Sequence, residues 1–190
     1  NEDIALMRTI PGMTIINPAD AVEARAAVEA ALNIDGPVYM RFGRYAVPYL
    51  YDESTYKFEL GKGITLAEGT DVTVVATGLM VHIALEAREL LAKEGISAEV
   101  INIHTIKPLD REAVIEAAKM GPVVTAENAT IVGGLGSAVA EVIAEEGIAT
   151  KFERIGIRDR YGVVGFIADI SEELEMTPDH IKAACLRVMG

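Results

Sequence analysis

From Asp71 onward, short runs of β-branched and apolar residues alternate with segments of helical period, and this alternation restricts the fold more than any other feature of the chain. Asp71 to Thr77 (DVTVVAT), a short β-branched run, reads as a buried strand. Gly78 turns it into a helix with Val81, Ala84, Leu85 and Leu91 inward, ended by Gly95. Ala98 to Ile103 reads as a second strand, and Asp110 as the N-cap of a helix closed by Gly121. Pro122 to Ala126 gives a third strand. The helix after Gly136 carries Val139, Val142 and Ile143, and Phe152 to Ile157 gives a fourth strand. Thr177-Pro178-Asp179 opens the last helix, with proline at its first position and Ile181, Ala184, Cys185 and Val188 on one face. Strands joined by helical crossovers pair in parallel and need helices on both faces. The expected class is therefore α/β, a three-layer, mostly parallel sheet domain over residues 70–190.

The first 50 residues make a lesser unit. Met13 to Asn17 reads as a strand, Asp20 as the cap of a helix with Ala21, Ala24, Val28, Ala31 and Leu32 inward, and Pro37 to Phe42 as another strand. Two strands and one helix cannot cover both faces of a parallel sheet, so residues 1–50 are expected to be an incomplete α/β piece leaning on something else. Over residues 51–69 the periodicity fades while Pro, Tyr, Asp, Gly and Lys accumulate around it, and this stretch reads as a linker.

One motif invites a nucleotide. Val123 to Glu127 followed by Gly133-Gly134-Leu135-Gly136 is a strand, a glycine-rich turn and a helix, the setting in which backbone N–H groups bind phosphate. A dinucleotide fingerprint needs a third small residue for close helix packing, and with Gly134 and Gly136 as the first two, that place holds Val139. No Gly-Lys-Ser/Thr follows either. The glycines are read as permitting a tight crossover, with Glu127 as a sheet-end or interdomain acid beside the helix N-terminus.

Charge narrows the partners. Twenty-nine acidic against 17 basic residues give −12, which repels nucleic acid and anionic membrane surfaces and leaves any phosphate site dependent on local arginines such as Arg41 and Arg44. No apolar run is long enough to span a bilayer, and a cytoplasmic location is the expectation. The single cysteine, Cys185, makes no internal disulfide and falls on a core face. His82, His104 and His180 have no metal-ligand spacing, so no metal site is expected.

Three segments in order, Pro37-Val38-Tyr39-Met40-Arg41-Phe42-Gly43-Arg44, His104-Thr105-Ile106-Lys107-Pro108-Leu109-Asp110 and Gly133 to Glu141, resemble a transketolase over nearly the whole chain. Residues 1–50 resemble the end of the pyrimidine-binding domain and residues 70–190 the C-terminal domain. The resemblance implies a thiamin diphosphate enzyme that transfers a two-carbon ketol unit between sugar phosphates, built as a homodimer with Mg²⁺ at the cofactor diphosphate. It implies that the glutamate activating the cofactor, the sugar-binding groups and the diphosphate domain belong to a missing N-terminal part or subunit. On that reading the chain is a truncated or cleaved half with no catalytic residue of its own, binding no cofactor alone and serving assembly and substrate contact. The substrate-phosphate arginine of the family corresponds to Arg44, four residues before Pro48, and Arg41 to an arginine seen in deoxyxylulose-phosphate synthases. Glu127-Asn128-Ala129 lacks an imidazole common in relatives, and Asp159 to Gly165 keeps the D-x-aromatic-G frame before departing at Phe166-Ile167. Within the same cofactor class a 2-oxo acid dehydrogenase β chain or a deoxyxylulose-phosphate synthase stays open. From another class, so does a stand-alone nucleotide-binding module.

Overall fold

The computed structural model describes residues 1–190. Its larger sheet has five strands in the order β3-β5-β4-β7-β8, with β3 at Ile64–Ala67, β4 at Val72–Ala76, β5 at Ala98–Asn102, β7 at Val123–Thr130 and β8 at Phe152–Ile157. All neighbours are parallel except β3, which runs antiparallel along β5. Helices α3 (Met80–Ala92) and α7 (Pro178–Met189) cover one face, and α4 (Arg111–Met120) and α5 (Leu135–Glu145) the other. The period-2 alternation of the strands divides the core accordingly. Val72, Val74 and Ala76 join Met80, Leu91, Ile181 and Cys185, while Val75, Ile101 and Val123 join Val114, Leu135 and Val139. Each Val, Leu, Ile or Met side chain so removed from water contributes about 1.5–3 kcal/mol, so the three-layer arrangement follows from the apolar runs read in the sequence.

The helix ends behave as their caps require. Asp110 accepts from Ala113 N–H and Asp20 from Glu23 N–H, while Gly95 turns out of α3 at φ +79°. Three further elements escaped the periodicity: α1 (Asp3–Arg8), the short strand β6 (Thr105–Lys107) and α6 (Ile167–Glu173).

The stretch expected as a linker corrects in part. Ile64–Ala67 is the edge strand β3, so the sheet domain begins before residue 70; four residues of mixed burial are too few to display a period. Ahead of it, Leu50 to Phe58 runs across the seam between the two pieces and contributes Tyr51, Tyr56 and Phe58 to it.

Residues 1–50 do not simply lean on the sheet domain. Their strands β1 (Thr14–Ile16) and β2 (Val38–Met40) pair in parallel, and β1 pairs antiparallel with β6 from the other piece, forming a second sheet ordered β2-β1-β6. Ile4, Ile15, Ile106 and Ala129 close a small core beneath it.

Helix α2 (Ala21–Ala31) presents a different face from the one its apolar residues predict. Glu23 and Ala27 are buried, whereas Val28 is 45% and Leu32 83% exposed. The reason is polar. The Glu23 carboxylate accepts from Ala19 N–H at 2.6 Å, Tyr56 O–H at 2.8 Å and Asn102 Nδ2 at 2.9 Å. A buried acid must be satisfied wherever its partners stand, and of these Asn102 stands on β5 and Tyr56 on the seam. Burial nevertheless pushes Glu23 above the ordinary carboxylate range.

Candidate functional site

A cleft of about 390 Å³ opens where the N-terminal piece meets the sheet domain. Its floor is the start of α2, from Pro18 to Ala24, and its wall is the chain leaving β2, with Phe42, Arg44, Tyr45, Val47 and Tyr49. Leu79 and Asn128 close it from the sheet domain. The lining is largely apolar, and Arg44 is its one cation. The exposed Arg44 guanidinium forms no ion pair and stands 5.9 Å from the Tyr45 ring centroid, a loose cation–π arrangement that leaves its fork of donors free for an anion.

Arg41 is placed differently. Its Nε donates to Asp3 at 2.9 Å, Nη1 to Asn128 Oδ1 at 2.7 Å and Nη2 to the Asn128 carbonyl at 3.1 Å. Tyr39 O–H reaches the same Asp3 oxygen at 2.8 Å. This guanidinium is engaged as a bracket between α1, β2 and the end of β7, so the structure separates two arginines that look equivalent in the sequence.

Glu127 also has a clear place. It is fully buried in β7, just past the last residue paired with β4, its oxygens accepting from Leu135 N–H and Gly136 N–H at 2.8 Å each. These are the first amides of α5, the donors that would hold a nucleotide phosphate. A carboxylate of the chain fills that position, and a Cβ on Gly134 would lie 2.0 Å from Glu127 Oε2. The nucleotide-module reading is overturned on this geometry, since its donors are already taken. Burial pushes Glu127 up to about 7 against the pull of the two amides, Arg154 and Arg8. Its hydrogen bonds stay within the sheet domain, so it acts as a cap of α5.

The histidines settle into structural contacts. His82 Nε2 donates to the Ala19 carbonyl at 3.0 Å, His180 lies 2.6 Å from Thr177 Oγ1, and His104, held down to about 4 by burial, sits against Phe58 and Thr105. No three His, Cys, Asp or Glu side chains converge as metal ligands. No helix is long and apolar enough to cross a membrane.

These residues do not by themselves fit thiamin diphosphate. The one acid on the cleft is Asp20, and both its oxygens already accept backbone N–H bonds, from Glu23, Leu50 and Tyr51. A diphosphate with its divalent cation needs clustered cations and several oxygen ligands, which this cleft lacks.

Sequence reading missed the second role of Asp20 and the burial of Glu23. The pattern Asp20-x-x-Glu23, a variant of the reciprocal capping arrangement, signals only the local bonds, Glu23 N–H to Asp20 and Ala19 N–H to Glu23, and neither the loop nor the burial.

Comparison with known proteins gives the frame for this geometry. Residues 1–48 match the transketolase pyrimidine binding domain and residues 61–181 the transketolase C-terminal domain. The 6-deoxy-6-sulfo-D-fructose transketolase subunit SqwH of Clostridium sp. (strain MSTE9) is 47% identical over 188 residues, covering 98% of this chain and 58% of that protein. A putative transketolase C-terminal section of Methanocaldococcus jannaschii is 45% identical over 86% of this chain and 52% of its own length. The chain thus spans about half the length of these curated relatives. 1-Deoxy-D-xylulose-5-phosphate synthase 1 of Geobacter sulfurreducens is 40% identical over 187 residues, 96% of this chain and 29% of that enzyme. A solved structure described as a split gene transketolase, inactive beta4 tetramer, superposes at TM-score 0.95 with 43% identity, covering 99% of this chain and 61% of that one. With both pieces matched in order and the whole architecture reproduced, the chain belongs to the transketolase family, as a section spanning the end of its pyrimidine-binding domain and its C-terminal domain.

Proposed function

We propose that residues 1–190 are the C-terminal section of a thiamin diphosphate-dependent transketolase that passes a two-carbon unit between sugar phosphates, and that Arg44 grips the substrate phosphate. The observation that carries this reading is the free Arg44 guanidinium, the sole cation on an apolar cleft at the seam of the two matched pieces. A planar fork suits a phosphate dianion, and an apolar surround strengthens the pairing. Arg41, being engaged with Asp3 and Asn128, serves to hold the wall. The cofactor-activating glutamate and the Mg²⁺ site come from an N-terminal part or partner subunit, and the assembly is a homodimer of the completed enzyme. The exposed Val28 of α2 and Leu32 at its C-cap support completion by further chain.

The test is Arg44→Ala in the enzyme reconstituted from this chain and its N-terminal part, with residues 1–190 alone as the inactive control. The KM for a phosphorylated sugar should rise by roughly the 1.5–3 kcal/mol typical of a charge-assisted bond, with little change for an unphosphorylated one. Equal losses for both substrates refute the role of Arg44, and ketol transfer by the chain alone refutes the division of labour. A second reading, a deoxyxylulose-phosphate synthase section, is favoured by the 40% identity over 187 residues to such an enzyme. It predicts formation of 1-deoxy-D-xylulose 5-phosphate in place of ketol exchange between sugar phosphates.

A further inference from the structure

We propose that Asp20 is a positioning residue for Arg44: its second carboxylate oxygen ties the returning end of the Arg44 loop to the start of α2 and so sets where the phosphate is met. The inference rests on the phosphate reading of Arg44 given above.

Asp20 is 4% exposed and its two oxygens do different work. Oδ1 caps α2 by accepting from Glu23 N–H at 2.8 Å. Oδ2 accepts from Leu50 N–H at 2.7 Å and Tyr51 N–H at 3.1 Å, thirty residues further along the chain. A helix cap needs one oxygen. The second is committed to a loop with no part in that cap.

That loop leaves β2 at Met40, carries Arg44 along the cleft wall and returns at Leu50. Its outgoing end is fixed where Arg41 N–H donates to the Ile16 carbonyl at 2.9 Å and where the Arg41 guanidinium meets Asp3 and Asn128. Its returning end is fixed at Asp20. Between these anchors residues 42–49 form no hydrogen bond of their own. The path of Arg44 is therefore decided at the two ends, and Asp20 is the polar group that decides one of them. A guanidinium whose backbone is already in place loses less freedom when phosphate arrives.

Substitution by Asn separates the two oxygens. Asparagine caps a helix as well as aspartate does, so its Oδ1 keeps the Glu23 bond. Its Nδ2 is a donor and faces two further donors at Leu50 and Tyr51, so the loop bonds are lost. Asp20→Ser also keeps a capping oxygen and is too short to reach the loop.

The experiment is steady-state kinetics of the complete enzyme assembled with this chain, comparing a ketose phosphate with its unphosphorylated analogue. The set is Asp20→Asn, Asp20→Ser, Arg44→Ala and the Asp20→Asn/Arg44→Ala double variant. Asp20→Asn should raise KM for the ketose phosphate on the order of tenfold, with kcat within about twofold and the analogue's KM within about twofold. In the Arg44→Ala background Asp20→Asn should add nothing, because the group it positions is gone. Selective loss with Arg44→Ala but an additive or unselective effect of Asp20→Asn overturns this inference alone. An unselective Arg44→Ala overturns the phosphate reading and this inference with it. Loss of folding in both Asp20 variants would also overturn it, because each retains the helix cap and gives up only the loop bonds.

Discussion

The pH dependence of stability should carry the signature of Glu127. Its carboxyl is fully buried and pushed from an ordinary 4.5 up to about 7, with burial as the largest cause. Below pH 4.5 the group is protonated in both the folded and the unfolded chain. Between 4.5 and about 7 the folded chain keeps a proton that the unfolded chain has released. The unfolded state then binds fewer protons, so stability falls as pH rises through this window and levels off above it. At about 1.4 kcal/mol per pH unit the displacement amounts to about 3 kcal/mol. Glu127→Gln removes the titration while keeping an acceptor for one of the two α5 amides. Urea unfolding of both proteins at intervals from pH 4.5 to 8 provides the assay, and their difference cancels Glu23, Glu99 and His104, which also titrate abnormally. The Gln variant should gain about 3 kcal/mol on the wild type between pH 4.5 and 8. Parallel stability curves, or a wild type that gains on the variant as pH rises, would falsify the reasoning, since the two amides would then outweigh burial.

Two further outcomes follow from packing. A Cβ at Gly69 would lie 2.1 Å from Glu99 N and 2.2 Å from Ala98 C, both backbone atoms of the sheet; Gly69→Ala should therefore destabilise by about 3 kcal/mol in the same unfolding assay, and a loss under about 0.5 kcal/mol would show that the β3–β5 edge yields. The Cys185 thiol, buried in the α3–α7 core and pushed up to about 12, should react with a thiol-specific disulfide reagent at pH 8 only at the rate of unfolding, whereas rapid labelling of the native chain would place it at an accessible surface.

Several elements are legible in the sequence alone. The strands β4, β5, β7 and β8 announce themselves as short β-branched and apolar runs between segments of helical period, and the inner residues of α7, Ile181, Ala184, Cys185 and Val188, are all buried. Asp20, Asp110 and Gly95 mark helix ends through bonds made within a few residues, which any reading of local order can see. Strand β6 was hidden because its three residues gain strand character only from pairing with β1 across some ninety residues of chain. β3 was hidden by shortness, and α6 by a lack of buried residues.

The same division runs through the site. Residue type and local order were enough for the α/β class, for the two pieces and for Arg44 as a candidate anion ligand, since periodicity, caps and charge act over a turn or a strand. Other features belong to the tertiary structure alone: Arg41 spent on Asp3 and Asn128, Glu127 occupying the amides of a would-be phosphate loop, Glu23 turning α2 away from its apolar stripe, and Asp20 reaching the Arg44 loop. Each is a buried or half-buried polar group whose partner is chosen by distance in space. A polar side chain taken from water must find a donor or acceptor, and only the folded chain decides which one is near.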